Sequence, residues 1–389
     1  MESIKNVDVK DKKVIVRVDF NVPIKDGTVV DDTRIVGALK TIKHLVDKKA
    51  KVILLSHIGR VESLEDKDKN TLRPVAKHLS TLIDTPIYFV PLTRGMLLEK
   101  TIENMNSGEV VIIENTRHED YPKKLESSCD EALSKYWASL GDIFVLDAFG
   151  TAHRCHASTY GISKFLPSYS GFLVDDEVEM LQVAMHKRKT LILGGSKVDD
   201  KIGVIDNLVN TSDAVLLGGA MCFTFLKAKG LPIGSSIVSD DKLDYCKDML
   251  ETHSDKIHLP VDVVTQNGVK NIEDMEKDDI GYDIGPKTIA NYEKIIDKST
   301  FVLWNGPLGK YEDNGYIEGT KKIMEYLSSK KVDTMLAGGD ITGAAKSLGL
   351  EFKYISTGGG STLEYLEGKK FRTLDRLNGE NKWKEKDLH

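Results

Sequence analysis

Short runs of apolar residues alternate with longer amphipathic segments along the whole chain. The apolar runs predict buried strands at Val14–Val18, Lys51–Leu55, Val110–Ile113, Ile143–Leu146, Leu191–Leu193, Ala214–Leu217, Phe301–Trp304, Thr334–Leu336 and Tyr354–Ile355. Helical spacing between them predicts helices at Asp32–Lys48, Glu131–Leu140, Val198–Leu208 and Glu318–Ser329. Strands that alternate with helices favour right-handed βαβ units. The pattern therefore predicts an α/β protein with parallel sheets covered by helices on both faces.

The chain has 389 residues, which is too long for one ordinary hydrophobic core and predicts two domains. We place the boundary near Ser168–Gly171, so that the domains span residues 1–170 and 171–370. A helix over residues 175–187 is expected to connect them. Only 8 of the 32 glycines precede residue 171, whereas 7 of the 10 arginines precede it. The first half is thus rich in arginine side chains, and the second half is rich in glycines, which leave the backbone without a side chain.

Composition excludes several classes of protein. Hydrophobic residues make up 40% of the chain, yet no apolar run approaches the roughly 18 residues that a membrane crossing needs. The four cysteines have no metal-binding or redox spacing, and the first residues lack a signal-peptide core, so we expect a cytoplasmic protein with reduced thiols. A formal charge of −6 argues against a nucleic-acid partner.

Cations follow several strands of the first half. Ligands of open parallel sheets bind at the carboxyl ends of the strands, where guanidinium forks can hold phosphate or carboxylate. The polar residues at these ends are Arg17, Asp19, Asn21, His57, Arg60, Arg117, His153, Arg154 and His156, and Arg34 precedes the first long helix. They predict a crevice for a small polyanion. Scattered surface charges are the alternative, and we interpret the two later histidines as anion contacts or structural groups.

Six glycine turns follow or separate the apolar runs of the second half. Glycine lets backbone N–H groups approach phosphates closely. Lys197 and Lys201 could balance the charge of a triphosphate, and Asp340 could hold Mg²⁺ beside phosphate oxygens. No Walker motif and no G-x-G-x-x-G after a strand occurs, so plain tight turns are the alternative. The residues alone indicate a two-domain phosphotransferase or a nucleotide-dependent ligase.

The same segments closely resemble phosphoglycerate kinases. The resemblance rests on Arg17-Val-Asp-Phe-Asn-Val-Pro, Asp31-Asp-Thr-Arg-Ile, His57-Ile-Gly-Arg, Asp147-Ala-Phe-Gly-Thr-Ala-His-Arg, Trp304-Asn-Gly-Pro and Ser356-Thr-Gly-Gly-Gly, which span nearly the whole chain. It implies two doubly wound domains, with 3-phosphoglycerate on the first and ATP or ADP with Mg²⁺ on the second. It also implies the reversible glycolytic transfer between 1,3-bisphosphoglycerate and ADP, a monomer that bends at a hinge, and a tail over residues 371–389 that returns to the first domain.

The resemblance also implies roles for individual residues. The acid substrate would meet Asp19, Phe20, Asn21, Arg34, His57, Ile58, Gly59, Arg60, Arg117 and Arg154. The nucleotide would meet Lys197, Lys201, Asn305, Glu312, Gly338, Gly339, Asp340 and Ile341. Catalysis would fall to Arg34, Lys197 and Lys201, and the metal to Asp340.

This chain departs from the family pattern mainly on the nucleotide side. Ile341 stands where the family usually has Thr or Ser, and Ala337 and Ala220 stand where it usually has Gly. Leu146 replaces a usual Asn, and Lys310 replaces a common apolar residue. Two alternatives stay open at this point: a catalytically weakened paralogue that binds or regulates, and a phosphotransferase with a different acid substrate.

Overall fold

The computed structural model describes residues 1–313, 315–330 and 332–379. The chain forms two compact units. The first unit comprises Met1–Val178 and the segment that starts at Lys370, and the second unit comprises Glu179–Lys369. The predicted tail is described as far as Gly379, and residues 380–389 lie outside the described residues.

Each unit is built on its own strands. The strands of the first unit are β1 Lys13–Val18, β2 Ile24–Lys25, β3 Thr28–Val29, β4 Lys51–Leu55, β5 Ile87–Val90, β6 Val110–Ile113, β7 Ile143–Asp147 and β8 Ser168–Ser170. The strands of the second unit are β9 Lys189–Leu193, β10 Ser212–Leu217, β11 Ile257–His258, β12 Asp262–Thr265, β13 Gly268–Asn271, β14 Gly281–Ile284, β15 Phe301–Asn305, β16 Asp333–Ala337 and β17 Tyr354–Ser356.

Helices follow most of these strands. In chain order they are α1 Thr33–Asp47, α2 Leu64–Lys69, α3 Arg73–Leu79, α4 Met96–Glu103, α5 Glu131–Ala138, α6 Phe172–His186, α7 Ile202–Leu208, α8 Cys222–Ala228, α9 Leu243–Thr252, α10 Pro286–Ile296, α11 Glu318–Lys330, α12 Gly339–Ser347, α13 Gly360–Leu366 and α14 Arg372–Asp375. Within the described residues, none of them has the length and hydrophobicity that a membrane crossing requires.

The first unit contains a six-stranded parallel sheet in the order β5-β6-β4-β1-β7-β8. From the central β1 the chain extends first to one side through β4 and later to the other through β7. The central strands are buried on both faces because helices cover them, and α1 packs its apolar stripe, including Ile35 and Ile42, against Val14 and Val52. The point where the strand order reverses lies between β1 and β7.

The second unit repeats this plan with a parallel sheet in the order β11-β10-β9-β15-β16-β17. Numbered along the chain within this sheet, the order is 3-2-1-4-5-6, the arrangement of doubly wound nucleotide-binding folds. Trp304 and Leu336 on the central strands pack against Ile323 of α11 and Ile341 of α12. The reversal lies between β9 and β15.

The predicted fold class is confirmed, and all nine predicted strands are present to within two residues of each predicted end. The helix predicted at Val198–Leu208 begins with a 3₁₀ turn at Asp199–Lys201, and its α-helical part starts at Ile202. Several short strands were missed. They include β11 and the antiparallel sheet β13-β12-β14, whose polar and exposed residues give no continuous apolar run.

Helix α6 spans the point where the first unit gives way to the second. At its start, Oδ1 of the buried Asp147 accepts a hydrogen bond from Leu173 N at 2.9 Å, and burial raises the pKa of Asp147 to about 7. Near its end, Lys189 Nζ donates to Met185 O at 3.4 Å, and burial lowers the pKa of Lys189 to about 8. Each end of the helix is thus bound by a side chain: a carboxyl oxygen accepts from the backbone at its start, and an ammonium group donates to the backbone near its end.

Both ends of the described chain contribute to the first unit. Glu2 N donates to Leu377 O at 2.6 Å, and Gly379 N donates to Ser168 O at 3.1 Å. The hydroxyl of Thr373 donates to the backbone carbonyl of Ala152, in the loop after β7. Residues more than 200 positions apart therefore close the same fold.

Candidate functional site

Polar side chains of the first unit converge at the carboxyl ends of its central strands. Asp19 and Arg34 form an ion pair in which Arg34 Nη1 lies 3.0 Å from Asp19 Oδ2. The same nitrogen donates to Asn21 O at 3.2 Å, and Asn21 Oδ1 accepts from Gly59 N at 3.0 Å. Gly59 has a φ of +60°, a conformation that favours glycine, which allows this turn after β4. The ends of β1 and β4 and the start of α1 are thereby tied together.

His57 lies at the inner end of this cluster and is buried. Its Nδ1 lies 3.0 Å from Nη2 of Arg17, which is also buried. Burial is the largest cause that lowers the pKa of His57 well below its usual range, and the positive charges of Arg17 and Arg117 add to it. The imidazole is therefore neutral at physiological pH.

Three further arginines complete a cationic surface. The charges of Arg154 and Arg60 lower the pKa of Arg117, after burial as the larger cause. Nε of Arg117 is buried and, within the described residues, has no hydrogen-bond partner. Burial also lowers the pKa of His156 to about 3, assisted by the charges of Arg17, Arg117 and Arg154. A site with several cations and an open buried donor suits a small polyanion.

Two predicted contact residues direct their side chains into the protein. The side chains of Phe20 and Ile58 are buried in the core of the first unit. Phe20 N donates to Ser56 Oγ at 2.8 Å, and Ile58 N donates to Asn115 Oδ1 at 3.2 Å. They therefore shape the loops, and Asp19, Asn21, His57 and the arginines offer the polar groups.

Asn115 is a positioning residue that the sequence analysis passed over. Its Oδ1 accepts from Ile58 N and from Arg117 N at 3.0 Å, and its Nδ2 donates to Ile58 O at 2.7 Å. The loop after β4, with His57 and Arg60, is thus fixed to the turn after β6 that carries Arg117. The signal for Asn115 in the sequence is its place two residues after the end of β6, in the same turn as Arg117.

The second unit has a cavity of about 280 Å³ at the reversal point of its sheet. It is lined by the loops after β9, β15 and β16 and by the start of α13. The lining residues include Gly194, Gly195, Lys197, Lys201, Asn305, Gly306, Gly338, Gly339, Asp340 and Gly360. Seven of the eight residues predicted for the nucleotide therefore share one cavity; Glu312 does not line it.

Glycines form the floor of this cavity because its loops pack backbone against backbone. A Cβ atom at Gly194 would overlap the carbonyl oxygen of Pro307, and one at Gly219 would lie 2.6 Å from Gly195 N. A Cβ atom at Gly306 would overlap the carbonyl oxygen of Gly194. At the rim the situation is different, because a Cβ atom at Gly339 would have no neighbour within 4 Å.

Charged groups lie around this glycine floor. Lys201 is largely buried, and burial lowers the pKa of its ammonium group while Asp200 and Asp340 act in the opposite direction. Lys197 and Asp340 are exposed at the cavity. Asn305 Nδ2 donates to the Ala337 carbonyl, whereas its buried Oδ1 has no partner within the described residues. The arrangement offers lysine ammonium groups, backbone N–H groups and two carboxylates to one ligand.

Ile341 occupies a position that the sequence did not reveal. It lies at the start of α12 and borders the cavity, yet its side chain is 0% exposed and belongs to the apolar cluster with Trp304 and Leu336. The side chain of Ile341 therefore packs in the hydrophobic core, although the residue borders the cavity.

Glu312 lies in the exposed loop between β15 and α11. Lys310 N donates to Tyr282 O at 2.7 Å, and the rings of Tyr282 and Tyr316 stack with centroids 4.5 Å apart. Asp283 Oδ2 accepts from Gly319 N at 2.8 Å at the start of α11, directly after this loop. These contacts hold the loop against β14.

A larger cavity, of about 1200 Å³, lies elsewhere in the second unit. It is bordered by the ends of α8 and α9, by α10 and by the edge strand β11. None of the predicted site residues lines it. Chemistry favours the smaller cavity, where phosphate-binding glycine loops and buried lysine meet at the reversal of a parallel sheet.

The comparisons with known proteins agree with this geometry. Residues 4–369 match the family model of phosphoglycerate kinase. The chain is 51% identical to a phosphoglycerate kinase of Lacticaseibacillus casei, covering 94% of this chain and 96% of that protein. It is 46% identical to one of Staphylococcus aureus, covering 96% and 98% respectively.

Solved structures give the same result. The structure of phosphoglycerate kinase from Coxiella burnetii matches with a TM-score of 0.86 at 34% identity, covering 96% of this chain and 98% of that one. The crystal structure of the Pyrococcus horikoshii phosphoglycerate kinase matches with a TM-score of 0.83 at 29% identity, covering 97% and 98%.

Proposed function

This chain belongs to the phosphoglycerate kinase family, and we propose from that premise how its residues divide the work of the reaction. The reaction is the reversible transfer of a phosphoryl group between 1,3-bisphosphoglycerate and ADP, which yields 3-phosphoglycerate and ATP. The observation that supports the assignment is that one parallel sheet carries a cationic cluster and the other carries a cavity lined by glycine loops.

The acid substrate belongs to the first unit in this proposal. Arg60, Arg117 and Arg154 bind its phosphate, and the open Nε of Arg117 is one of the donors. Asp19 and Asn21 accept or donate hydrogen bonds at its hydroxyl group, beside the ion pair of Arg34 with Asp19. Phe20, Ile58 and Gly59 stabilise the loops after β1 and β4 that carry these polar groups.

The nucleotide phosphates belong to the second unit. Backbone N–H groups around Gly338 and Gly339 face the cavity together with Lys197 and Lys201. Asn305 lines the same cavity, and we assign Glu312 to the ribose on the basis of the family resemblance.

Mg²⁺ fits the donor groups that are present. Within the described residues no group of three or more His, Cys, Asp or Glu side chains could hold a metal ion. Asp340 and Asp200 both border the cavity, and Mg²⁺ is commonly held by one or two carboxylates together with substrate phosphates. Asp340 would hold the ion, which would neutralise charge on the nucleotide phosphates when bound.

The transfer itself needs little covalent chemistry from the protein. In the direction of ATP consumption, a carboxylate oxygen of 3-phosphoglycerate forms a bond to the γ-phosphorus while the bond to the leaving oxygen of ADP breaks. The attacking carboxylate is already ionised and needs no general base. Arg34, Lys197 and Lys201 stabilise the oxygens of the moving phosphoryl group. Because acid and nucleotide are assigned to different units, transfer requires the two ligands to be brought together, and residues at the ends of α6 are the expected hinge.

A coupled assay in both directions tests the proposal. We expect turnover with 3-phosphoglycerate and ATP at millimolar concentrations, dependent on added Mg²⁺, and turnover in reverse with 1,3-bisphosphoglycerate and ADP. Other phosphorylated acids serve as competing substrates. Absence of turnover with folded protein, or preference for another acid, contradicts the proposal. We further propose a cytoplasmic monomer, which fractionation of cells and light scattering of the purified protein test directly.

A further inference from the structure

Arg17 is a cation close to the strand ends of the first unit, but the protein encloses it. Arg17 is 1% exposed, and it lies within β1, one residue before the end of that strand, rather than in the loop that carries Asp19 and Asn21. A buried guanidinium must find acceptors within the protein, because an unpaired buried charge is costly. Its partners therefore reveal its role.

The guanidinium has three partners. Nε donates to Ser158 Oγ at 2.8 Å, Nη1 donates to the Val18 carbonyl, and Nη2 lies 3.0 Å from His57 Nδ1. The Ser158 hydroxyl donates in turn to a carboxylate oxygen of Glu126, and Ser158 N donates to the other oxygen at 3.0 Å. We call Glu126, Ser158, Arg17 and His57 the buried polar chain.

Glu126 supplies the negative charge that the chain requires. Both Arg17 and Glu126 are fully enclosed, so burial lowers the pKa of Arg17 and raises the pKa of Glu126. Each of the two charges opposes the effect of burial on the other. The buried charges of Arg17 and Glu126, bridged by the Ser158 hydroxyl, therefore stabilise each other, and Arg17 remains protonated.

The direction of the bond to His57 follows from this. A guanidinium has only donors, so Nδ1 of His57 must accept. An imidazole that accepts at Nδ1 is neutral and carries its proton on Nε2. The charges that act most strongly on His57 besides Arg17 favour the same neutral state: they belong to Arg117 after β6, His156 after β7 and Arg34 of α1.

We propose that Arg17 is a positioning residue that holds His57 as the neutral tautomer protonated at Nε2, with Glu126 as its counter-charge through Ser158. His57 then gives the acid substrate one oriented hydrogen-bond donor and no positive charge, and the exposed arginines supply all the charge. This second statement rests on the proposed function, whereas the tautomer is a property of the free protein.

The tautomer can be measured without any activity. In protein labelled with ¹⁵N at histidine, long-range proton–nitrogen correlation spectra separate the two tautomers and the imidazolium, and a His57→Gln variant assigns the signals. We expect the Nε2-protonated pattern for His57 throughout the range from about pH 5 to about pH 8, where an ordinary histidine changes charge. A Nδ1-protonated ring, or titration near the ordinary pKa, overturns the proposal.

A variant tests the role of Arg17 itself. Arg17→Lys keeps the charge but replaces a planar fork by a single ammonium group that cannot reproduce both side-chain contacts. We expect the His57 signals to lose their single-tautomer pattern and KM for 3-phosphoglycerate to rise about tenfold, the size of one lost hydrogen bond to a charged ligand. The affinity for ATP should not change. Arg73→Lys, in the same unit and exposed over Phe89, is the matched control.

The outcomes separate the two proposals. An unchanged tautomer together with an unchanged KM in Arg17→Lys removes the positioning role. If wild-type protein shows the expected tautomer but no kinase turnover, the proposed function fails and the assignment of His57 stands. If Arg17→Lys does not fold, the spectrum of the wild-type protein still shows whether His57 has the tautomer that the proposal requires, because that measurement does not depend on the Arg17 variant.

Discussion

The two units are built on the same kind of parallel sheet, yet their proposed phosphate sites differ in composition. The first offers cationic side chains, and the second offers mainly backbone groups. In the first unit, cationic side chains reach the strand ends, and buried groups such as Glu126 and Asn115 hold them there. In the second, the loops themselves form the proposed nucleotide cavity, and glycines let them pack backbone on backbone. The first site should therefore be sensitive to the removal of side chains, and the second to their addition.

The largest effect should come from adding one carbon atom in the second unit. Gly194→Ala places a Cβ atom against the backbone of Pro307 and Gly306, neither of which can move like a side chain. We expect the free energy of unfolding of the second unit to fall by about 3 kcal/mol or more and ATP binding to be lost. Thermal denaturation and calorimetry measure both quantities.

Gly343→Ala is the control for that substitution. Its Cβ atom would lie 3.6 Å from Tyr311 Oη, an ordinary contact, in the interior of α12. We expect stability to rise by about 0.5–1 kcal/mol, since alanine favours a helix. Equal losses at Gly194 and Gly343 would show that the floor is no tighter than the rest of the unit.

The next effect should come from removing a side chain in the first unit. Arg34→Ala deletes a preorganised donor that we assign to charge developing during transfer, so kcat should fall by about 10²–10³. The side chain is 35% exposed, and the fold should remain intact. Steady-state kinetics in both directions measure the change. A kcat within about threefold of wild type with a raised KM for 3-phosphoglycerate would make Arg34 a ground-state contact only.

A smaller effect is expected at Ile341, which borders the cavity of the second unit but packs its side chain in the core. Ile341→Thr buries a hydroxyl group in an apolar cluster and should lower stability by about 1–3 kcal/mol. Ile355→Thr, at an isoleucine of β17 that is 39% exposed, should change it by less than about 0.5 kcal/mol. Chemical denaturation compares the two variants, and similar losses would contradict the assignment of Ile341 to the core.

A pH-dependent effect is expected from a feature that the units share. Burial raises the pKa of Asp283 in the second unit to about 7, as it does for Asp147 in the first. The folded state then keeps a proton that the unfolded state releases, so this stabilisation is complete below the ordinary pKa and is lost as pH rises to about 7.

Asp283→Asn removes this titration from the second unit. Between about pH 4 and about pH 7, the unfolding free energy of wild type should fall relative to the variant by about 1 kcal/mol per pH unit. Asp278→Asn, at an exposed position, should follow wild type. Denaturant titrations at several pH values provide the test, and parallel curves for wild type and Asp283→Asn would show that Asp283 is ionised in the folded state.

Sequence pattern was sufficient for the central strands and insufficient for the partners of buried charges. Val14–Val18 and its neighbours read as strands because both faces are covered and the apolar run is unbroken. Glu126 and Ser158 carry no such signal: they lie 109 and 141 positions from Arg17, and only the fold brings them together. Ile341 was associated with the ligand because a motif gives position along the chain and not the direction of a side chain.

The first unit takes some of its residues from the far end of the chain, and this has a consequence for synthesis. The carbonyl of Leu377 binds Glu2 N, and Thr373 binds the loop after β7 that leads to Arg154. On the ribosome, all of the second unit is made before either residue exists. Domains usually fold as they emerge, with the N-terminal one first. Here the domain that starts first must wait longest for its last contacts, so the glycine-lined cavity of the second unit can form before the first unit has all the contacts that support its cationic cluster.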